Sequence, residues 1–267
     1  GLGDVYKRQY EGDILVNLTI MALIIIGGAG FLVWDDIHRN RLNFKKYLLH
    51  TKIVLITTGI LIFGGALLFY LMEKDNVLAG MNVRERILGS LFSSVTPRTA
   101  GFNSVDTAAL KDSSKFLTMV LMFIGGSPGS TAGGVKVTTA VVMVLSTIAM
   151  VRGTHGVNIL DRRLEENAVK RASAIVTIDL GLAVAAALII MSAQPLKLSD
   201  ALFEVFSAIG TVGMTTGITR ELVPLSRIVI ILLMYCGRLG SLTFTLVFAR
   251  SKPEPPVKQP VEKIVVG

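Results

Sequence analysis

The sequence has a single cysteine, Cys236, and three histidines, His38, His50 and His155. A lone thiol excludes a disulfide framework and a Cys-rich metal site, and histidines scattered without ligand spacing give no metal role. Charge is scarce as well, at 17% of residues, where soluble domains carry about a quarter. Inside the long apolar runs only one acid, Asp179, stands out. The clustered intramembrane acids or histidines that a membrane enzyme needs are missing, and Asp179 reads as a tie between helices. No basic and apolar signal peptide opens the chain. It begins Gly1-Leu2-Gly3-Asp4 without an initiator methionine. Residues 1–13 therefore read as a lead sequence that need not belong to the fold, and the chain is expected to be a C-terminal fragment.

What is present is apolar sequence, 51% of the chain, with a positive mean hydropathy and a net charge of +8. A basic balance raises nucleic acid as a partner. The basic residues, however, lie between apolar segments, where the positive-inside rule accounts for them, so no nucleic-acid role is assigned. Ile14–Val33 and Ile53–Met72 are uncharged runs of 20 residues, just long enough for a bilayer core of about 30 Å. Gly27, Gly28 and Gly30 would permit close helix packing. Ala172–Ser192 and Leu222–Ala249 read as further spans, the second holding Arg227 near its start and Arg238 near its middle.

Two apolar runs, Ile87–Val95 and Leu202–Ile209, are too short to cross. They lie in half-length helices expected over 86–96 and 199–209. Each leads into a Thr-x-Gly turn: Thr99-Ala100-Gly101-Phe102-Asn103 after the first and Thr211-Val212-Gly213-Met214-Thr215 after the second. One Thr-x-Gly is worthless as a signal. Two, each after a half-length helix on one side of the membrane, resemble pore loops; the bland alternative is a pair of ordinary extracellular turns. The run Phe116–Met150 would make a helix of about 52 Å, too long for the bilayer. Its middle, Gly125-Gly126-Ser127-Pro128-Gly129-Ser130-Thr131-Ala132-Gly133-Gly134, has five glycines and a proline in ten residues and cannot be regular helix. The expectation is helix, irregular loop, helix. Such backbone survives at membrane depth only where it is buried in protein or lines water. A phosphate-binding loop is rejected: after Gly129 and Gly134 the next residue is Val135, Lys136 comes one place late, and no strand precedes.

Charge sets the orientation. Segments 34–52, 151–171 and 250–267 carry Arg39, Arg41, Lys45, Lys46 and Lys52, then Arg152, Arg162, Arg163, Lys170 and Arg171, then Arg250, Lys252, Lys258 and Lys263. With these three cytoplasmic, both half-helices enter and leave from outside, and the C-terminal tail 250–267 is cytoplasmic. Span, half-helix, turn, span occurs twice, over 53–150 and 172–249, with 14–33 closing an earlier copy. The copies run parallel. A secondary transporter with a site at broken helices would more simply predict inverted repeats.

The chemistry suits a cation. An ion that sheds water in a bilayer needs replacement oxygens, which potassium filters supply as backbone carbonyls. Glycine lets the chain turn several carbonyls toward one axis, and each half-helix aims its partly negative C-terminal end at the ion. Arg238, between Gly237 and Gly240, is expected below the filter against the 125–134 loop; a structural or snorkelling arginine is the alternative. Lys136 acts similarly or snorkels to the inner surface.

Together, Thr99–Asn103, the segment Gly125–Gly134 with Val135–Thr139, Thr211–Thr215 and Gly237-Arg238-Leu239-Gly240 resemble the Trk/Ktr/HKT superfamily of cation transporters, nearest the bacterial Ktr-type membrane subunit. The resemblance covers roughly residues 10–250. It implies an all-α membrane protein of repeated M1–P–M2 (helix, pore helix, filter, helix) units around a central pore. On that pattern 14–33 is the closing helix of repeat two, 53–150 is repeat three with filter 99–103 and gate loop 125–134, and 172–249 is repeat four with filter 211–215. It further implies potassium uptake across the bacterial plasma membrane, with potassium as the transported ion, sodium as an activator and no covalent cofactor. It implies contact with membrane lipid, a homodimer and a cytosolic nucleotide-binding regulatory subunit. A sodium-selective or sodium-coupled transporter of the same fold is the alternative. Serine at the first filter glycine marks sodium-favouring relatives, and that position lies outside this sequence.

Overall fold

A computed structural model describes residues 13–240 apart from 42, 155 and 161. His155, nearly all of the expected lead sequence, the end of the last expected span and the 250–267 tail lie outside the described residues. In chain order the helices are α1 (Ile14–Ala29), α2 (Phe31–Asn40), α3 (Leu49–Glu73), α4 (Val83–Val95), α5 (Asp112–Phe123), α6 (Val137–Val151), α7 (Glu166–Ala193), α8 (Leu198–Ile209) and α9 (Pro224–Leu239). A hairpin of β1 (Asn158–Ile159) and β2 (Arg162–Arg163) joins α6 to α7.

Among the described residues α3 and α7 are each long and apolar enough to cross a membrane, and α1 with α2 is too if the bent pair is one span. The bend corrects the first reading. Ile14–Val33 was expected as one continuous helix, but the chain turns by 93° between α1 and α2. Gly30 sits there at φ 83°, ψ 152°, a region open essentially to glycine alone. The cause is tertiary. A helix end leaves carbonyls without partners, and here the Trp34 indole takes Ile26 O at 3.0 Å while the amide of Ser127 takes Gly28 O at 2.9 Å. A Cβ on Gly30 would lie 2.6 Å from the Pro128 carbonyl oxygen. The segment after 33, expected as loop to residue 52, begins with α2. There Arg39 pairs with Asp35 at 3.0 Å, and Asp36 receives Asn40 Nδ2 at 2.7 Å and the Leu48 amide at 2.9 Å. Such i,i+4 pairs support an exposed helix. Likewise α7 starts at Glu166, inside the segment expected as loop to 171, and α5 starts at Asp112 rather than Phe116.

The half-length helices α4 and α8 lie within a residue or three of their expected limits. A capping box starts α4, with the Glu85 amide donating to Asn82 Oδ1 and the Asn82 amide to Glu85 Oε2, both at 3.0 Å. Its far end is fastened to α3, where Ser94 Oγ donates to the carbonyls of Leu61 and Ile62. α7, α8 and α9 close around Ala186, Ala187, Ile190, Val205, Ile209 and Leu233. The two halves of the chain meet where α5 packs on α8. Met119, Met122, Phe203, Val212 and Met214 form a shared apolar cluster, and Phe123 stacks edge-on against Phe206 at 5.8 Å. Lys115 on α5 bonds Asp200 on α8 at 3.0 Å. Phe203 is fully buried, so its truncation to alanine would cost about 3–5 kcal/mol. Large apolar side chains on the outer faces, Leu15, Phe63, Leu67, Leu188 and Ile231 among them, are exposed, as suits a lipid solvent.

Candidate functional site

The two Thr-x-Gly turns have one backbone. Thr99 and Gly101 have φ 66° and 71°, and Thr211 and Gly213 have φ 52° and 88°. The residues between them, Ala100 and Val212, are not in that region. Positive φ in a β-branched residue is a genuine outlier, with a cost of about 1–3 kcal/mol that persists only where surroundings impose it. Both turns impose it by ending a half-helix. At α8 the Val212 amide donates to Ser207 O at 2.8 Å and the Thr211 amide to Ala208 O at 3.0 Å. This is a Schellman cap with threonine in the left-handed place where glycine is usual.

The Thr99–Gly101 turn does the same work differently. The Thr96 carbonyl accepts the amides of Ala100 at 3.1 Å and Gly101 at 3.4 Å. The Thr96 hydroxyl accepts the Phe102 amide at 2.9 Å and donates to the Phe102 carbonyl. Just before the turn, Arg98 is buried and donates to Thr58 Oγ1 at 3.1 Å.

The turns are brought together. A Cβ on Gly101 would stand 2.2 Å from the Val212 carbonyl oxygen, so only glycine admits the approach. Thr107 Oγ1 donates to the Thr215 carbonyl at 2.7 Å, and Asn103 Nδ2 reaches Thr107 Oγ1 at 3.4 Å. The carbonyls of Phe102 and Thr215 are thus engaged by threonine hydroxyls. Among the described residues no hydrogen bond engages those of Thr99, Ala100, Gly101, Thr211, Val212, Gly213 or Met214.

The 125–134 segment is irregular backbone between α5 and α6, closed at its neck by Gly125 N to Val135 O at 2.8 Å and Val137 N to Gly126 O at 3.0 Å. It lies against the Thr211 turn: a Cβ on Gly133 would stand 2.2 Å from Thr211 Oγ1. Its tip is stitched to the bent helix. Besides the Ser127 bond, Thr131 N donates to Gly27 O at 3.5 Å and Phe31 N to Gly129 O at 3.2 Å. Within the segment Ser130 Oγ donates to Ser127 O, and Ser127 Oγ lies 3.4 Å from His50 Nε2. Two cations hold successive carbonyls near its end. Arg238 Nη1 donates to Thr131 O at 2.6 Å and Lys136 Nζ to Ala132 O. Asp179, buried on α7, is close enough to act electrostatically on Lys136. α9 stops just past Arg238, at Gly240 with φ 88°.

The sequence reading passed over three residues of this site. Thr96 and Thr107 look like ordinary polar positions near a turn. Glu204 corrects the statement that Asp179 is the only intramembrane acid: it is buried on α8, and the hydroxyls of Thr215 and Thr219 donate to its two carboxylate oxygens. An acid inside an apolar half-helix was the available signal.

Residues 8–259 match the family model of the cation transport protein TrkH. The chain belongs to the TrkH family of cation transport proteins. Over its whole length this TrkH-family chain is 38% identical to the potassium/sodium uptake protein NtpJ of Enterococcus hirae, and over 97% of it 36% identical to the Ktr system potassium uptake protein B of Bacillus subtilis. It spans 60% and 58% of those relatives' own length. The crystal structure of the potassium transporter TrkH from Vibrio parahaemolyticus matches with a TM-score of 0.72 at 17% identity, over 88% of this chain and 52% of that one. That likeness concerns the fold. The TrkH family is one of membrane cation transporters and not of enzymes.

Proposed function

We propose that this TrkH-family chain forms part of the path for potassium uptake across the bacterial plasma membrane. Thr99–Asn103 and Thr211–Thr215 act as two of four filter segments, repeats three and four supplying them and α1 with α2 closing repeat two. The observation that carries the reading is the pair of strained turns, alike in dihedral pattern, meeting at Gly101 and Val212 with their inner carbonyls free of hydrogen bonds. Such carbonyls can replace water around a cation. The half-helices α4 and α8 end at the turns, so their partly negative C-termini favour a cation there.

Segment 125–134 serves as a gate below the filter. Closed, it stands against Thr211, held by Arg238 and Lys136 and by the bend at Gly30. Opening requires it to leave that position, and the Arg238 charge opposes cation passage until it does. The intact transporter is a homodimer in lipid, with its C-terminus cytoplasmic and a cytosolic nucleotide-binding regulatory subunit on the inner face. The name of the Enterococcus relative favours a second reading, in which sodium is transported or activates transport.

The test is Gly213→Ser in the intact transporter, in cells lacking other potassium systems. The rubidium-over-sodium uptake ratio should fall about tenfold, the equivalent of about 1.4 kcal/mol. An unchanged ratio at normal surface expression would remove the filter assignment.

A further inference from the structure

We propose that Glu204 is a positioning residue for the filter segment of repeat four: its carboxylate fixes Thr215, and through it the stretch Gly213–Thr215, and so contributes to discrimination between potassium and sodium. The inference rests on the filter reading above.

Glu204 lies midway along α8 and is 5% exposed. A carboxylate in such a place is expensive unless its oxygens are satisfied. They are satisfied by the segment following the filter. Thr215 Oγ1 donates to Oε1, and Thr219 Oγ1 lies 2.9 Å from Oε2. Thr215 Oγ1 in turn accepts the Gly217 amide at 2.9 Å and lies 2.8 Å from Thr219 Oγ1. No cation neutralises the acid among the described ion pairs: Lys115 on the neighbouring helix is committed to Asp200.

Thr215 is therefore held twice. Its hydroxyl is bound by Glu204 and its carbonyl by Thr107 of the other repeat. Gly213, two residues upstream, has nothing within 4 Å of where a Cβ would point. Its backbone is flanked by the Schellman cap on one side and Thr215 on the other, and packs against Gly101. Aligning Thr99 with Thr211 places Phe92 opposite Glu204. Phe92 is buried and apolar, so repeat three has no counterpart and the device belongs to one segment.

The experiment compares Glu204→Leu, Glu204→Gln, Thr219→Val and Gly213→Ser in the intact transporter, reading the rubidium-over-sodium uptake ratio normalised to surface protein. Glu204→Leu should lower the ratio about tenfold and Thr219→Val about threefold, the second effect being smaller because Thr219 is exposed and contributes one bond of the clamp. Glu204→Gln, which keeps one acceptor oxygen, should retain most of the ratio. Thr219→Val added to Glu204→Leu should lower it no further, because both remove one clamp. If Glu204→Leu does not reach the membrane, Thr219→Val and Glu204→Gln still decide the matter. A ratio unchanged in Thr219→Val, or as low in Glu204→Gln as in Glu204→Leu, overturns the proposal. If Gly213→Ser lowers the ratio while the clamp variants do not, only the role of Glu204 fails. If Gly213→Ser leaves it unchanged, the filter reading itself fails.

Discussion

The Thr99–Gly101 turn hangs on one residue: Thr96 uses its backbone carbonyl for Ala100 and Gly101 and its hydroxyl for Phe102. At the Thr211–Gly213 turn the corresponding position is Ala208, which has no hydroxyl to offer. The turn there relies on a Schellman cap before the glycine and the Glu204 clamp after it. The dihedral pattern is nevertheless the same, with threonine and glycine both at positive φ. The backbone is the common element of the two repeats, and the side chains around it are two separate solutions to holding a strained conformation. Further along, the same alignment sets Gly125 opposite Gly237. At that depth α5 opens into the 125–134 segment, whereas α9 continues to present Arg238 to that segment.

The comparison is broken most readily at its two glycines. Gly101→Ala must place a methyl into the Val212 carbonyl, whereas Gly213→Ala meets no neighbour and bears only the strain of φ 88°. That strain is about 1–2 kcal/mol. Gly101→Ala should abolish rubidium uptake, and Gly213→Ala should reduce it about tenfold; equal losses would mean that the turns are not apposed as described. Next in size is Thr96→Val, which removes the hydroxyl that engages both the amide and the carbonyl of Phe102, at a cost of about 1–3 kcal/mol. It should lower the rubidium-over-sodium ratio about tenfold, while Ala208→Thr changes it little. A large effect at Ala208 would deny that the repeats are held differently.

On the proposed gate, Arg238→Ala should raise potassium flux several-fold, since it removes a charge-assisted bond worth about 1.5–3 kcal/mol from the 125–134 segment. Removal of residues 128–131 should act in the same direction. A fall in flux at normal surface expression would make the loop structural. Smallest is Lys136→Met, about a twofold rise, because the flexible lysine gives less geometric restraint than the arginine fork. Flux measured against surface protein orders the two cations; a larger effect at Lys136 would invert their ranking.

The half-helices were legible as apolar runs too short to cross, and the break after α5 as five glycines and a proline among ten residues. Those signals are local, because chain length and backbone freedom are properties of the segment itself. The bend at Gly30 was not legible. Ile14–Val33 is apolar throughout, and what breaks it is the Pro128 carbonyl and the Ser127 amide, about a hundred residues away. α2 was hidden because its support is a pair of i,i+4 side-chain bonds in a segment dense with charge. Arg238 was visible as a charge in an apolar run. Glu204 is an acid inside a short apolar run, a visible signal, but its partners Thr215 and Thr219 follow the turn and meet it only once the chain has folded back.

The stitches between Gly27, Gly28 and Phe31 and the 127–131 tip also bear on the order of assembly. The tip's amides at Ser127 and Thr131 find their acceptors on a helix that leaves the ribosome almost a hundred residues earlier. The bend depends on contacts with the tip, and the tip's amides depend on acceptors at the bend, so neither has its partners before the other is in place. Bend and tip therefore form together, and lesions at Gly30 should surface as a biogenesis defect before any defect in conduction.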